Sequence, residues 1–295
     1  MTSRALVLGG GGPVGIAWES GLLAGLAQGG VDLGAADFIL GTSAGAFVGA
    51  RLALGAETTS LTDSILADAV SSVRPASRAT APPDMTKVMR LMILAQEAGR
   101  DPTDVFVELG ALALDAATPS EDEFIASFGG AFGRLAPDAW PERGFACTAV
   151  DTASGEFQLW TKDSGVGVAR AVASSCSVPG VYPPITLKDR RWMDGGVRSS
   201  TNADLAVGHD VVVILGLRLS DSTPGGALAR MFARLDEEIA SLKAGGAEVI
   251  ALLPDEASRA AMGGNLMDFR KRPDAAHAGL TQGLAAAADL AKVWG

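Results

Sequence analysis

A chain of 295 residues, 48% hydrophobic and 20% charged, can bury one large core or two smaller ones. Its formal net charge of -10 argues against a nucleic-acid partner, or an anionic membrane held by long-range attraction. Two cysteines, Cys147 and Cys176, do not make a disulfide framework or a Cys/His metal centre, so no metal and no cofactor are expected.

Met1 to Arg4 lead straight into an apolar run, which predicts no cleavable leader. No apolar run reaches the ~18 residues of a spanning helix, and the expected compartment is the cytoplasm. Residues 5–8 are apolar without alternation, the pattern of a buried parallel strand. Gly9-Gly10-Gly11-Gly12-Pro13-Val14-Gly15 follows, and then a helical pattern through Ile16, Ala17, Leu22, Leu23 and Leu26.

Such a loop presents backbone N–H groups at a helix N-terminus, where the helix dipole also favours negative charge. One reading makes it an oxyanion hole, with donors from Gly10, Gly11 and Gly12 because Pro13 has no N–H. Another makes Gly10-x-Gly12-x-x-Gly15 a dinucleotide fingerprint, and the chain a nucleotide-binding or regulatory protein. The second reading needs an acidic residue at the end of the second strand. Asp32 and Asp37 both fall before that strand.

Residues 38–40 form the next apolar run, entering Gly41-Thr42-Ser43-Ala44-Gly45 and a small-residue helix. Strand, G-x-S-x-G and helix in that order is a nucleophile elbow, with Ser43 on strained backbone and its hydroxyl clear of the sheet. Gly41 and Gly45 are needed because a Cβ at either position meets the neighbouring strand or helix. In a chain with 37 glycines the pentapeptide alone is weak, and its strand–turn–helix context is what gives it meaning.

Residues 57–134 are mostly helical in pattern and read as an insertion, with helices near 105–117 and 123–132. Within it, 85–95 carries Met85, Val88, Met89, Met92 and Ile93 on one side. This suits an ordinary half-buried helix, and also a lid or acyl-chain pocket. Residues 144–150 and 156–161, joined by Ala153-Ser154-Gly155, predict a β-hairpin. A helix over 168–175 follows, and Cys176 beside it reads as a packing residue.

A strand at 185–187, a charged turn at 188–191 and Trp192-Met193-Asp194-Gly195-Gly196 place Asp194 at a strand end. A tight turn of Gly195 and Gly196 then opens onto the sheet's carboxyl edge. Runs 211–217 and 249–253 are further buried strands, separated by a helix at 227–242, and a last helix lies near 280–294. Short strands alternating with helices predict a doubly wound α/β fold, and no linker or repeat divides the chain, so one domain over 1–295 is expected.

A serine nucleophile needs a base. Of the two histidines, His209 reads as a solvated strand start, and His277 completes a possible Ser43, Asp194, His277 order of the α/β-hydrolase kind. The other arrangement is a dyad with Asp194 in direct contact with Ser43. Burial would then have to raise the carboxyl's pKa.

Three separated motifs, Gly10-Gly11-Gly12-x-x-Gly15, Gly41-Thr42-Ser43-Ala44-Gly45 and Asp194-Gly195-Gly196, together resemble the patatin-like phospholipases. So does the run from Ala173-Ser174-Ser175 through Pro179-Gly180 to Pro183-Pro184. The resemblance implies a three-layer α/β/α fold with a mostly parallel sheet, and a lipid acyl hydrolase using a Ser-Asp dyad without histidine. By position it makes Ser43 the nucleophile, Asp194 the base and the glycine loop the source of oxyanion donors. It implies an acyl-ester lipid as substrate, met in transient contact with a membrane or micelle surface. Many relatives carry a basic residue in the glycine loop where this chain has Val14 after Pro13. The N–H donors survive that change, while a charge that could anchor an anionic headgroup does not.

Overall fold

The computed structural model describes residues 2–70, 86–94, 101–218 and 227–295. In chain order the elements are β1 (Arg4–Leu8), α1 (Gly12–Gln28), β2 (Phe38–Gly41), α2 (Ala44–Ala53), α3 (Asp63–Val70) and α4 (Thr86–Leu94). Then come α5 (Pro102–Asp115), α6 (Glu121–Ser127), α7 (Gly129–Phe132), β3 (Gly144–Asp151), β4 (Phe157–Trp160) and α8 (Val168–Ser175). The chain ends with β5 (Ile185–Leu187), β6 (Arg190–Asp194), β7 (Val211–Leu215), α9 (Ala227–Ala244), β8 (Glu248–Leu252), α10 (Glu256–Met262) and α11 (Arg272–Trp294).

The strands form one mixed sheet in the order β5-β6-β3-β2-β1-β7-β8, with β4 on β3. The five strands β3, β2, β1, β7 and β8 are mutually parallel, β4 and β6 pair antiparallel with β3, and β5 pairs antiparallel with β6. Apolar residues occupy both faces of the central strands, because helices cover both. Leu6 and Leu8 of β1, with Val213 and Leu215 of β7, face a core shared with α1, α2, α8 and α11. Ala5 and Val7, with Val212 and Ile214, face the opposite core against Leu235 and Leu242 of α9. The result is the three-layer α/β/α arrangement that the motifs led us to expect.

Several boundaries differ from the sequence pattern. The last helix begins at Arg272, well before residue 280. Pro273 falls in its first turn, where the missing N–H costs no hydrogen bond. Gly279 and Gly283, which look like helix breakers, are there because α1 lies almost on top of them. A Cβ at Gly279 would sit 2.3 Å from the Trp18 carbonyl oxygen, and one at Gly283 2.2 Å from that of Leu22. The partner helix answers in kind, since Cβ atoms at Gly21 and Gly25 would meet the carbonyl oxygens of Ala276 and Leu280 at 2.1 and 2.2 Å. Backbone therefore packs on backbone along the α1–α11 contact.

The helical pattern at 123–132 divides into α6 and α7 at Phe128, with α6 started by a Ser120–Glu123 capping box. The charged turn shrinks to Lys188 and Asp189, both at positive φ, and Arg190 already belongs to β6. β7 stops at Leu215, so that Leu217 can pack against the glycine loop. Of the apolar side of 85–95, Val88 is buried in a cluster with Val105, Leu109, Val150, Met193 and Val197. Residues 85 and 95, and the side chains of Met89 and Met92, lie outside the described residues.

Candidate active site

The site forms where β1, β2 and β6 end. β1 and β2 pair in parallel with Leu8 opposite Gly41, so the glycine loop and the serine turn leave the sheet side by side. A Cβ at Gly10 would lie 3.4 Å from the Cβ of Ser43. β6 runs the other way, yet it reaches the same edge because β3 outruns β2. Gly41 pairs with Cys147, and Asp194 pairs with Ala149 just beyond it on the same strand. Residues 151 positions apart are thereby brought together through a third strand, 194 minus 43 giving that separation.

Ser43 sits at φ 53, ψ -114, outside the ordinary regions for an L-residue, as a nucleophile elbow requires. Both glycines are enforced by contact: a Cβ at Gly45 would meet the Leu8 carbonyl oxygen at 2.1 Å, and one at Gly41 the Ala46 Cα at 2.4 Å. Ser43 occupies the N-cap of α2, but its hydroxyl makes no capping bond and stays available. The same helix terminus favours negative charge on that oxygen.

Asp194 is 5% exposed. Its Oδ1 accepts the Gly196 N–H at 2.7 Å, while its Oδ2 is buried without a hydrogen-bond partner among the described residues. Burial pushes the carboxyl pKa up to about 7, against the opposing pull of the Ser43 hydroxyl and the Gly196 N–H. Gly195 is required by its neighbour, since a Cβ there would lie 2.1 Å from the Thr148 hydroxyl oxygen.

In the glycine loop, the Gly10 N–H donates to the Ser200 carbonyl at 2.7 Å and the Gly9 N–H to that of Leu215 at 2.9 Å. Gly11 and Gly12 make no such bond among the described residues, and Gly12 takes a left-handed φ of 56. Leu266, from the loop ahead of α11, accepts the Val14 N–H at 3.1 Å and so braces the loop from outside. Gly15 lies under Leu217 and Ala44, and Gly196 beside the Asp194 carboxyl.

Neither histidine enters the site. His209 lies before β7, at the opposite edge of the sheet. It is half-buried rather than solvated, stacked on Phe38 at 5.3 Å between ring centroids, with Nδ1 3.0 Å from the Ala206 carbonyl oxygen. His277 is exposed on α11 beside Ala276, which packs at Gly21, more than two turns along α1 from the loop. Asp32 and Asp37 also stay at the far edge, capping Gly34 and holding the Arg4 N–H, so no acid closes β2 as a dinucleotide site requires. Among the described residues no group of three His, Cys, Asp or Glu side chains could hold a metal ion.

Four supporting residues have roles that the sequence pattern did not assign. The Ser43 N–H donates to Ser175 Oγ at 3.0 Å, the Cys176 thiol donates to the Ser43 carbonyl at 3.1 Å, and the Asp194 N–H donates to the Ser177 carbonyl at 3.0 Å. Three consecutive residues at the end of α8 thus hold both Ser43 and Asp194. The fourth is Asn202, whose buried amide reaches Thr42 and Gly195. The run of small polar residues after α8 was the one available signal for the first three. Nothing local marked Asn202.

Two solved structures align with this chain. VipD from Legionella pneumophila aligns with a TM-score of 0.45 at 13% identity, over 97% of this chain and 67% of that one. The type III effector protein ExoU aligns with a TM-score of 0.37 at 16% identity, over 97% of this chain and 53% of that one. This chain therefore spans about two thirds of the first and about half of the second. No curated protein matches the sequence. The profile of the patatin-like phospholipases matches residues 6–207, which takes in the glycine loop, Ser43 and Asp194. The chain belongs to the patatin-like phospholipase family, a family of lipid hydrolases.

Proposed function

We propose that this protein is a serine acyl-ester hydrolase of phospholipase A or lysophospholipase type, working as one domain with a Ser43–Asp194 dyad. The observation that carries the reading is a strained Ser43 whose hydroxyl acts on a buried Asp194 carboxyl, with Oδ2 of that carboxyl left without a hydrogen-bond partner among the described residues. Ser43 Oγ attacks the ester carbonyl carbon, and its proton passes to Asp194. The N–H groups of Gly11 and Gly12 hold the oxyanion, since that of Gly10 is committed to Ser200. The leaving alcohol takes the proton from Asp194. Water then gives its proton to Asp194 and attacks the acyl-enzyme, and Ser43 recovers its hydroxyl as the fatty acid leaves.

A carboxylate with the ordinary pKa near 3.9 is too weak a base for this exchange, and a value near 7 removes much of that deficit. Two buried free thiols suit a reducing compartment such as the cytoplasm, with lipid reached by transient contact at a membrane or micelle surface. No helix among the described residues is long and apolar enough to cross a membrane.

The test is hydrolysis of a short-chain p-nitrophenyl ester by wild type, Ser43→Ala, Asp194→Asn and His277→Ala. The first two variants should lose about 10³-fold or more in kcat, and the third should match wild type. Full activity in Asp194→Asn, or collapse in His277→Ala, overturns the dyad.

A further inference from the structure

β2, which ends at Gly41 two residues before Ser43, and β6, which ends at Asp194, do not pair with each other. Each pairs with β3, so no ladder hydrogen bond fixes the gap between the two turns. The end of α8 reaches both turns through Ser175, Cys176 and Ser177, and buried side chains supply a second connection. Resting on the dyad reading, we infer that Asn202 is a positioning residue, whose buried amide ties the residue before the nucleophile to the residue after the base.

Asn202 is fully buried at φ 50, ψ 34, a left-handed conformation that asparagine tolerates better than most side chains. Its Nδ2 donates to the Ser199 carbonyl at 2.8 Å, to Thr42 Oγ1 at 3.1 Å and to the Gly195 carbonyl at 3.3 Å. Thr42 adjoins Ser43, and Gly195 adjoins Asp194. Between them stands Thr148 of β3, whose hydroxyl is 3.0 Å from that of Thr42 and would collide with any Cβ at Gly195.

The other end of the amide is anchored too. Oδ1 accepts from Arg198 at 2.7 Å, and that guanidinium makes a two-pronged bond to Asp204 at 3.1 and 2.6 Å. Only a side chain with both donor and acceptor at this length fits: aspartate lacks the donors, and an aliphatic residue lacks both. Every polar atom of Asn202 is engaged among its neighbours, so it has no spare group for substrate. Its effect runs through the placement of Ser43 and Asp194, where an error near 1 Å costs about 10²-fold in rate.

The test compares full-length wild type, Asn202→Gly, Thr42→Val and the double variant. Glycine keeps the left-handed backbone and removes the amide; valine keeps the shape of threonine and removes the accepting hydroxyl. We expect Asn202→Gly to lower kcat about 10- to 100-fold with KM within about threefold, and to slow labelling of Ser43 by a fluorophosphonate by a similar factor. The double variant should be no slower than Asn202→Gly, because both changes cut one connection.

A folded Asn202→Gly with kcat within about twofold of wild type overturns the inference, as do independent, multiplicative effects in the double variant. Should Asn202→Gly not fold, Thr42→Val decides alone: kcat and labelling about three- to tenfold slower supports the tether, and unchanged values overturn it. Asp194→Asn, run beside these, separates the two ideas. If it keeps full activity the dyad reading has failed; if it is dead while Asn202→Gly is normal, only the tether has.

Discussion

The backbone N–H of Ser43 donates to the hydroxyl of Ser175 at 3.0 Å, although the two are 132 residues apart and both are buried. A nucleophile elbow cannot turn that N–H toward water, and Ser43 cannot relax its positive φ without moving the hydroxyl. Ser175 therefore supplies the partner that the strained backbone lacks. Ser175→Ala leaves a buried donor unpaired, worth about 1–3 kcal/mol, and should lower kcat about tenfold with little change in KM. Cys176→Ala removes only a weak thiol donor to the Ser43 carbonyl and should have the smaller effect. Steady-state kinetics on both variants gives the comparison. An unchanged kcat in Ser175→Ala would mean that its bond does not shape the elbow.

Activity should carry an acid limb. As the proposed base, Asp194 works only when ionised, so with a pKa of about 7 the value of kcat/KM should fall about tenfold per unit once pH drops well below that point. A pH profile in wild type reads it directly. A limb near 4 would mean that burial does not govern Asp194.

The same carboxyl should weaken the fold as pH rises. Its folded pKa lies above the ordinary value of 3.8, so its contribution is fully present below about pH 4 and is lost on the way through about 7. Three units at ~1.4 kcal/mol each set an upper bound near 4 kcal/mol. Asp194→Asn should accordingly exceed wild type in Tm at pH 8, with the gap closing toward pH 4. A gap that does not change with pH would count against this.

Glu19 makes a parallel case away from the site. It is fully buried on α1, with neither carboxyl oxygen hydrogen-bonded among the described residues. Burial raises its pKa well above the usual glutamate range, opposed weakly by the Gly9 N–H. The folded state then keeps a proton that the unfolded chain releases above about pH 4.5, so stability is again lost with rising pH. Glu19→Gln should match wild type in Tm near pH 4 and exceed it increasingly toward pH 8. Thermal melts across that range check the slope.

The α1–α11 contact has no room for side chains. A Cβ at Gly279 or Gly25 would fall 2.3 or 2.2 Å from a backbone carbonyl oxygen of the opposite helix, which neither helix can yield locally. Gly279→Val should cost about 3 kcal/mol or more, at the upper end of overpacking effects, and lower Tm by several degrees. Gly264→Val, where a Cβ meets nothing within 4 Å, is the control and should change little. Equal melting of the two variants would mean that the helices can slide apart.

Much of this molecule was legible in order along the chain. The Phe38–Gly41 strand, the Gly41 and Gly45 pair and the helix from Ala44 follow from local spacing, because apolar period and glycine sterics act over a few residues. The same holds for Gly10 to Gly12 and for Asp194 before two glycines. Boundaries failed where a distant contact overrode the local pattern. The last helix, expected near 280, begins at Arg272, and Gly279 sits inside it because α1 packs on it.

The sequence by itself determined the elements and the chemistry on offer: a serine on a strand-to-helix turn, a glycine loop after the first strand, an aspartate at a later strand end. Tertiary structure alone decided that these meet. The antiparallel entry of β6 on an over-long β3 brings Asp194 to Ser43, and both histidines are left elsewhere. Ser175 and Asn202 gain their roles from partners 132 and 160 residues away. A hydrogen bond depends on two atoms within about 3 Å, and a buried carboxyl's pKa on all the matter around it. Neither quantity exists until the chain has folded.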